Sequence, residues 1–296
     1  MPQLQRQPTK RVRMTGRSRI DLSLSRVRVL VLGSLVTALV ACSTVQTTKP
    51  GVVGVDRQQI MSPLVSEKEL EQGSAQAYAD VVSKAKTEGA LNVDPAQTAK
   101  VRSIAERLIA RAGIFRDDIS GWKWDVNVIE SPQINAWAMP GGKMAVYSGI
   151  IETLQLSDDE LAAIMGHEIA HVLREHGRER ASRAAGQNLA INILGALSGA
   201  GATTQQLANA AAEVAFALPN SRVQETEADR VGIELAARAG FDPRAAVTLW
   251  EKMARQAGGS NGPAFLSTHP SPESRTEDLR VLAQKVLPLY EQARLN

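Results

Sequence analysis

Residues 157–180 have the sequence SDDELAAIMGHEIAHVLREHGRER, and this stretch decides how the rest of the chain is interpreted. Ser157 followed three residues later by Glu160 forms a capping box, which is typical of a helix start. Apolar residues then recur at helical spacing. The pattern predicts one helix from Ser157 to about Arg180, with the charged run Arg174–Arg180 as its solvated end.

The motif His167-Glu168-Ile169-Ala170-His171 lies two turns inside this predicted helix. Residues at i and i+4 share a helix face, so both imidazoles can bind one metal ion while Glu168 faces a water on that ion. Because the chain has only 4 histidines, the chance of this pattern arising at random is on the order of one in a few hundred. The motif therefore predicts a hydrolytic metal site.

A third protein ligand is needed, because a catalytic zinc ion usually has three protein ligands and one open position. The metzincin pattern requires glycine at 174 and histidine at 177, whereas this chain has Arg174 and Gly177, so that class is excluded. His176 lies about half a turn from His167 around the predicted helix. We interpret His176 as a histidine of the surface or of the other helix face.

The better candidate is Glu225, in the sequence Glu225-Thr226-Glu227-Ala228-Asp229, on a helix predicted over residues 222–239. Glu225 and Asp229 share a face at i, i+4 spacing. One of them can therefore bind the metal while the other accepts the remaining N–H of a ligand histidine. Glu227 points about 200° away from Glu225 around the helix axis.

The sequence on both sides of this helix predicts a mostly helical α+β domain over residues 64–296. Alternating apolar residues predict a small mixed β-sheet beside the H-E-x-x-H helix, and the caps Ser66 and Asp94 predict helix starts. The Gly- and Ala-rich residues 184–218 predict two packed or mobile helices, which could gate the site. The predicted strands are 124–128, 136–139 and 144–147, and the other predicted helices are 66–86, 94–112, 242–257 and 271–287.

The N-terminus has the pattern of a bacterial lipoprotein signal peptide over residues 1–41. Its uncharged residues 29–41 follow an Arg-rich stretch, and at about 20 Å as a helix they are too short to span a bilayer core of roughly 30 Å. Leu39-Val40-Ala41-Cys42 resembles a lipobox, which implies a lipid anchor on Cys42 at the periplasmic face of the outer membrane. Residues 42–63 lack periodicity and are interpreted as a tether.

The net charge of +3 does not indicate a nucleic-acid partner. Residues 1–41 carry a net charge of +7, so the rest of the chain carries −4. A nucleic-acid-binding surface needs clustered positive charge, and here the surplus lies in the predicted signal peptide. The single cysteine also excludes a disulfide within the chain.

The chain resembles the gluzincin metallopeptidases of the HtpX and CAAX prenyl protease type, in their soluble periplasmic lipoprotein branch. The resemblance rests on motifs that occur in order over residues 135–275: Asn135-Ala136, Pro140-Gly141-Gly142, Gly149, the H-E-x-x-H motif, Ser221-Arg222, Glu225-x-x-x-Asp229, Gly240-x-Asp242-Pro243 and Thr268-His269-Pro270. It implies one zinc ion per chain, held by His167, His171 and Glu225, and so selects Glu225 over Glu227.

The resemblance also implies roles for residues around the zinc ion. Glu168 is expected as the general base and Asp229 as the partner of a ligand histidine. His269 is expected either to stabilise the oxyanion or to cap the zinc, with Arg275 as a weaker candidate for the same region. An extended substrate is expected to add as a strand along Asn135, Ala136 and Trp137.

Two functions are compatible with these features. The first is a membrane-anchored zinc endopeptidase that hydrolyses misfolded or unassembled envelope proteins, in protein quality control. The alternative is a periplasmic chaperone or outer-membrane assembly factor that binds such clients beside the envelope assembly machinery and seldom uses a gated protease site. The complete hydrolytic site favours the enzyme. A structural zinc site is disfavoured, because such sites close with four ligands, often cysteines; manganese or cobalt could occupy the site in vitro.

Overall fold

The computed structural model describes residues 43–186, 201–257, 263–270 and 273–295. The predicted signal peptide, Cys42, the predicted helix cap Ser271 and part of the Gly- and Ala-rich region lie outside the described residues. The features assigned to these residues therefore stay predictions.

The secondary structure is numbered here in chain order. It consists of β1 (Ser43–Val45), β2 (Gln59–Met61), α1 (Glu67–Thr87), α2 (Pro95–Ala112), a 3₁₀ helix (Asp117–Gly121), β3 (Asp125–Ile129), β4 (Ala136–Met139), β5 (Lys143–Tyr147), α3 (Ser148–Thr153), α4 (Asp158–Leu173), α5 (His176–Gly186), α6 (Thr204–Phe216), α7 (Arg222–Arg238), α8 (Ala245–Ala257), α9 (Phe265–Thr268) and α10 (Glu273–Arg294). The α+β class and the mostly helical content are confirmed. Among the described residues, no helix has both the length and the hydropathy to cross a membrane.

The predicted mixed sheet is present and has the order β3-β5-β4. β3 pairs with β5 in parallel, and β4 pairs with β5 antiparallel. Alternate residues face opposite sides: Ala136 and Val146 enter the main core, whereas Trp137 and Ala145 pack towards α1 and α6. β4 lies at the edge of the sheet and contacts α4.

Helix α4 carries the H-E-x-x-H motif and crosses α7 at unusually short range. A Cβ atom at Gly232 would lie 2.8 Å from the backbone N of His167, and one at Gly166 would lie 2.9 Å from the carbonyl O of Gly232. Two glycines therefore let the two backbones touch. This contact places the motif helix directly against the helix that carries Glu225.

The single helix predicted from Ser157 to Arg180 is wrong at its end. The capping box at Ser157 is present, but α4 stops at Leu173 and α5 starts at His176. Between them Glu175 has φ 49°, a left-handed conformation that ends a helix. Its carboxylate is held by Arg116 at 2.7 Å and by Arg178 at 3.0 Å, so tertiary ion pairs stabilise the break.

The charged run Arg174–Arg180 is also not the solvated helix end that the sequence predicted. Arg174, His176 and Glu179 are fully buried. Charged side chains avoid burial unless they are paired, and their partners come from distant parts of the chain. Sequence periodicity within the run could not reveal those partners.

Residues of the predicted tether pack on the domain. Val53 and Val55 are buried in the main core, and the backbone N–H of Val53 donates to Glu234 at 3.0 Å. The N–H of Lys49 donates to the carbonyl of Phe115, and β1 pairs with β2. We call residues 43–61 the N-terminal segment.

Candidate metal centre

Helices α4 and α7 bring together the three side chains predicted as metal ligands. The Nε2 atoms of His167 and His171 lie 3.0 Å apart. Oε2 of Glu225 lies 3.5 Å from Nε2 of His167, and its Oε1 lies 3.3 Å from Nε2 of His171. All three side chains are buried.

This donor set fits a zinc ion. Bonds of about 2.0–2.1 Å to four tetrahedral ligands separate the ligand atoms by about 3.3 Å, and the three observed separations surround that value. One carboxylate and two imidazoles also match the ligand types of a catalytic zinc site. His167, His171 and Glu225 would hold the metal, and zinc is the cofactor that this chemistry indicates.

The charged groups around the candidate ligands set their protonation states before a metal binds. Burial would raise the pKa of Glu225, but His269 and the two α4 histidines hold it well below its usual range, so the carboxylate is ionised. Burial lowers the pKa of His171 well below its usual value, which keeps this imidazole neutral and able to bind metal. For His167, burial also lowers the pKa, but hydrogen bonds to Asp229 and Glu225 outweigh it and raise the pKa to about 9.

Asp229 lies where the sequence predicted the partner of a ligand histidine. Its Oδ1 is 3.0 Å from Nδ1 of His167. Arg275 donates to both oxygens of Asp229 at 2.7 Å and lies 2.8 Å from Oε2 of Glu225. Arg275 is therefore engaged with these two carboxylates, and its guanidinium orients them.

His269 lies within the same cluster, so that His167, His171, Glu225 and His269 have ligand atoms within 4.8 Å of one another. Its Nδ1 is 3.1 Å from Oε1 of Glu225 and 3.3 Å from Nε2 of His167. Phe265 stacks on its ring at a centroid distance of 4.1 Å. This position is compatible with either expected role, oxyanion donor or zinc cap.

Glu168 faces the cluster from α4. It is buried, and burial raises the pKa of its carboxyl despite the opposing charges of His269 and His167. Among the described residues its Oε1 has no hydrogen-bond partner, and Nε2 of His269 lies 3.5 Å away. A buried carboxylate oxygen without a partner is costly, and a water or a substrate would satisfy it.

Sequence reasoning missed one histidine of this centre. His176 begins α5, is fully buried, and has its Nδ1 2.8 Å from Nδ1 of His171. Its Nε2 is 3.0 Å from Oε2 of Glu227. Burial lowers the pKa of His176 to about 4 despite the contact with Glu227, so the ring is neutral at pH 7. The prediction failed because it continued α4 through the break at Glu175.

A cavity of about 160 Å³ opens beside the cluster. Glu168, His171 and His269 line one side of it, and residues 135–138 line another. The remaining wall includes Val214 and Phe216 of α6, and Phe216 packs edge-on against Trp137 with ring centroids 5.2 Å apart. Asn135, Ala136 and Trp137 therefore border the same cleft as the candidate ligands.

The fold and this centre together define a zinc metallopeptidase, with an H-E-x-x-H helix and a glutamate supplied by a second helix. Residues 95–283 match the family described as peptidase family M48. The chain belongs to that family, which confirms the resemblance to these metallopeptidases, while the periplasmic lipoprotein branch stays a prediction.

Curated relatives share this region. A "Mitochondrial metalloendopeptidase OMA1" of Schizosaccharomyces pombe is 37% identical over 182 residues, which cover 60% of this chain and 50% of the relative. A "Beta-barrel assembly-enhancing protease" of Escherichia coli (strain K12) is 34% identical over 215 residues, covering 68% of this chain and 42% of the relative. The chain thus spans about half, or less, of the length of these relatives.

Proposed function

We propose that this chain is a zinc-dependent endopeptidase that cleaves extended segments of misfolded or unassembled envelope proteins. The observation that supports this most directly is that, within the described part of the chain, no strand pairs with the outer edge of β4, which borders the same cleft as Glu168 and the candidate zinc ligands. Substrates in an extended conformation can add to such an edge through main-chain hydrogen bonds, which require little sequence selectivity. Unfolded or unassembled chains offer segments of this kind.

The register of β4 indicates which backbone groups point away from β5, towards the cleft. Ala136 pairs with Val146, and the N–H of Tyr147 donates to the carbonyl of Asn135. In an antiparallel pair, residues alternate between hydrogen-bonded and non-hydrogen-bonded positions. Ala136 and Ala138 therefore direct their backbone groups away from β5, and the backbone of Ala138 faces the Glu168 carboxylate.

The reaction is a peptide-bond hydrolysis. When bound by His167, His171 and Glu225, zinc acts as a Lewis acid that polarises the scissile carbonyl and acidifies water. Glu168 accepts the proton of the attacking water at its free Oε1 and returns a proton to the leaving nitrogen. His269 is positioned to donate a hydrogen bond as negative charge develops on the carbonyl oxygen.

A second candidate function is a chaperone or assembly factor with a gated protease site. The observation in its favour is that His269 lies among the ligand atoms, with Nδ1 3.1 Å from Glu225, while Phe216 narrows the cleft against Trp137. The name of the Escherichia coli relative, a protease that enhances β-barrel assembly, also supports a role beside the envelope assembly machinery.

Cleavage of an unfolded reporter protein by the zinc-loaded full chain tests the enzyme. We expect fragments from the wild type and none from Glu168→Gln, because the amide cannot accept the proton. Glu160→Gln is the matched control, since Glu160 is a buried glutamate of the same helix that pairs with Lys252 away from the cleft. Absence of fragments from a wild type that binds one zinc per chain would contradict the endopeptidase and favour the gated chaperone.

The proposed location is the periplasmic face of the outer membrane, through a lipid on Cys42. It is supported by the lipobox-like sequence before Cys42. We expect Cys42→Ser to lose radiolabelled fatty acid and to leave the membrane fraction. Incorporation of label into the variant would refute attachment at this residue.

A further inference from the structure

The zinc-ligand candidate His171 is the first member of a line of hydrogen-bonded side chains that leads away from the cleft. We call this line, His171, His176 and Glu227, the relay. Its Nδ1 lies 2.8 Å from Nδ1 of His176, and Nε2 of His176 lies 3.0 Å from Oε2 of Glu227. His176 is fully buried and Glu227 is 5% exposed. These side chains come from α4, α5 and α7, so the line depends on the tertiary fold.

Two arginines hold the Glu227 carboxylate in place. Arg174 donates to Oε2 of Glu227 from Nε at 3.2 Å and from Nη2 at 2.9 Å. Arg57 donates to both oxygens of Glu227, and it also donates to both oxygens of Glu179 at 2.7 and 2.9 Å. Glu227 is therefore an ionised group that can only accept hydrogen bonds.

The positions of the protons follow from this acceptor. His176 must carry its proton on Nε2, because Glu227 can only accept there. Of two nitrogens 2.8 Å apart, one must donate and the other accept. Because metal binding by His171 requires the lone pair of its Nε2, Nδ1–H of His171 is the donor and Nδ1 of His176 is the acceptor. His171 is then left with an unprotonated Nε2, which is the atom that faces Glu225 and His167.

We propose that His176 and Glu227, held by Arg57 of the N-terminal segment, are positioning residues that fix the metal-binding tautomer and ring orientation of His171. The inference rests on the zinc site of the proposed function. Partners of this kind around a ligand histidine typically change metal affinity by about 10–100-fold. Arg57 lies outside residues 95–283 that match the family, so this chain supplies part of its metal-site support from its own N-terminal segment.

Zinc affinity, measured on the full chain by competition with a chromophoric chelator, tests the relay without using activity. We expect Glu227→Gln and His176→Leu to raise the zinc dissociation constant by about 10–100-fold. Glu234→Gln is the matched control, because Glu234 is likewise a buried glutamate of α7 and also binds the N-terminal segment, through Val53. Its ion-pair partner is Arg238, away from the metal centre. We expect it to leave the dissociation constant within about threefold of the wild-type value.

Nitrogen-15 NMR reports directly which nitrogen of each imidazole carries a proton. Because the chain has 4 histidines, single substitutions suffice to assign the signals. We expect His176 to be protonated on Nε2 and unprotonated on Nδ1 in the wild type. A proton on Nδ1 of His176 would overturn the proposal. Wild-type affinity in folded His176→Leu, or an equal loss in Glu234→Gln, would do the same.

Arg57→Gln covers the case in which the buried variants do not fold, because the Arg57 side chain is 30% exposed. We expect weaker zinc binding than in the wild type, and an unchanged affinity would count against the role of the N-terminal segment. Failure of the wild type to bind zinc would refute the zinc site and the relay together. A wild type that binds zinc and cleaves, with variants of equal affinity, would refute the relay alone.

Discussion

Glu179 shows how a single buried charge links acidity to the stability of the domain. Its side chain accepts hydrogen bonds from Arg57, Gln224 and Arg183 at 2.7–2.9 Å. Burial alone would raise the pKa of Glu179, but the hydrogen bonds from Arg57 and Gln224 outweigh it and lower the pKa to about 2. The folded state therefore binds this proton more weakly than the unfolded state does.

The sign of the pH dependence follows from that lowered pKa. The stabilisation from Glu179 is complete above its ordinary pKa of 4.5 and is lost as the pH falls towards 2. We expect the free energy of unfolding of the metal-free chain, measured with urea, to fall over this range in the wild type and to fall less in Glu179→Gln. Glu213→Gln, at an exposed position, should follow the wild type, and parallel curves for wild type and Glu179→Gln would contradict the prediction.

Among the residues of the site, the sequence was sufficient where the spacing within one helix decides the geometry. His167, Glu168 and His171 share one helix and face one cluster, and Asp229 lies one turn from Glu225 on α7. His176 and Glu227 could not be found in this way, because their contact depends on the break at Glu175 and on Arg57. The break at Glu175 is fixed by Arg116 and the position of Glu227 by Arg57, and each arginine lies more than 50 residues away along the chain.

At the scale of elements, the distance between α4 and α7 controls the metal centre. Gly232→Ala would place a Cβ 2.8 Å from the backbone N of His167. Because the opposing atoms are backbone, the helices must separate, and overpacking of this kind costs about 1–3 kcal/mol. We expect a loss of stability in that range in urea unfolding, together with weaker zinc binding.

Gly113→Ala is the control for this prediction. A Cβ at Gly113 has no atom within 4 Å, and φ there is −58°, which alanine adopts readily. Removal of chain entropy from the unfolded state should leave this variant as stable as the wild type or slightly more stable. Equal stability of both variants would show that the two helices can separate without cost.

The element boundaries that the sequence predicted well are those with local signals. Side-chain caps at Ser66, Asp94 and Ser157 start α1, α2 and α4 as expected. The break at Arg174 and Glu175 contains no glycine or proline that would predict it from the sequence. Ion pairs with Arg116 and Arg178 hold Glu175 in its left-handed conformation. The few apolar residues of the N-terminal segment lack periodicity, so the sequence does not predict that Val53 and Val55 complete the main core.

For the whole molecule, zinc should act as a ligand that stabilises the folded state. A free zinc concentration of 100 times the dissociation constant adds about 2.7 kcal/mol, and a domain of this size gains about 2–4 °C in Tm per kcal/mol. We expect the thermal midpoint to fall by about 5–10 °C when a chelator removes zinc. Glu225→Gln should lose most of this difference, and a wild-type midpoint that does not respond to zinc would contradict the metal site.

The packing of the N-terminal segment would also set how far a domain anchored through Cys42 could reach from the membrane. Ser43, the residue after Cys42, already belongs to β1. If Cys42 carries the proposed lipid, the connection between the lipid and the folded domain is a single residue of about 3.5 Å. A flexible linker of the length first expected, residues 42–63, would have given an average reach of about 25 Å. The domain would then stay beside the lipid headgroups, and only clients within about one domain diameter of the membrane would come within range of cleavage.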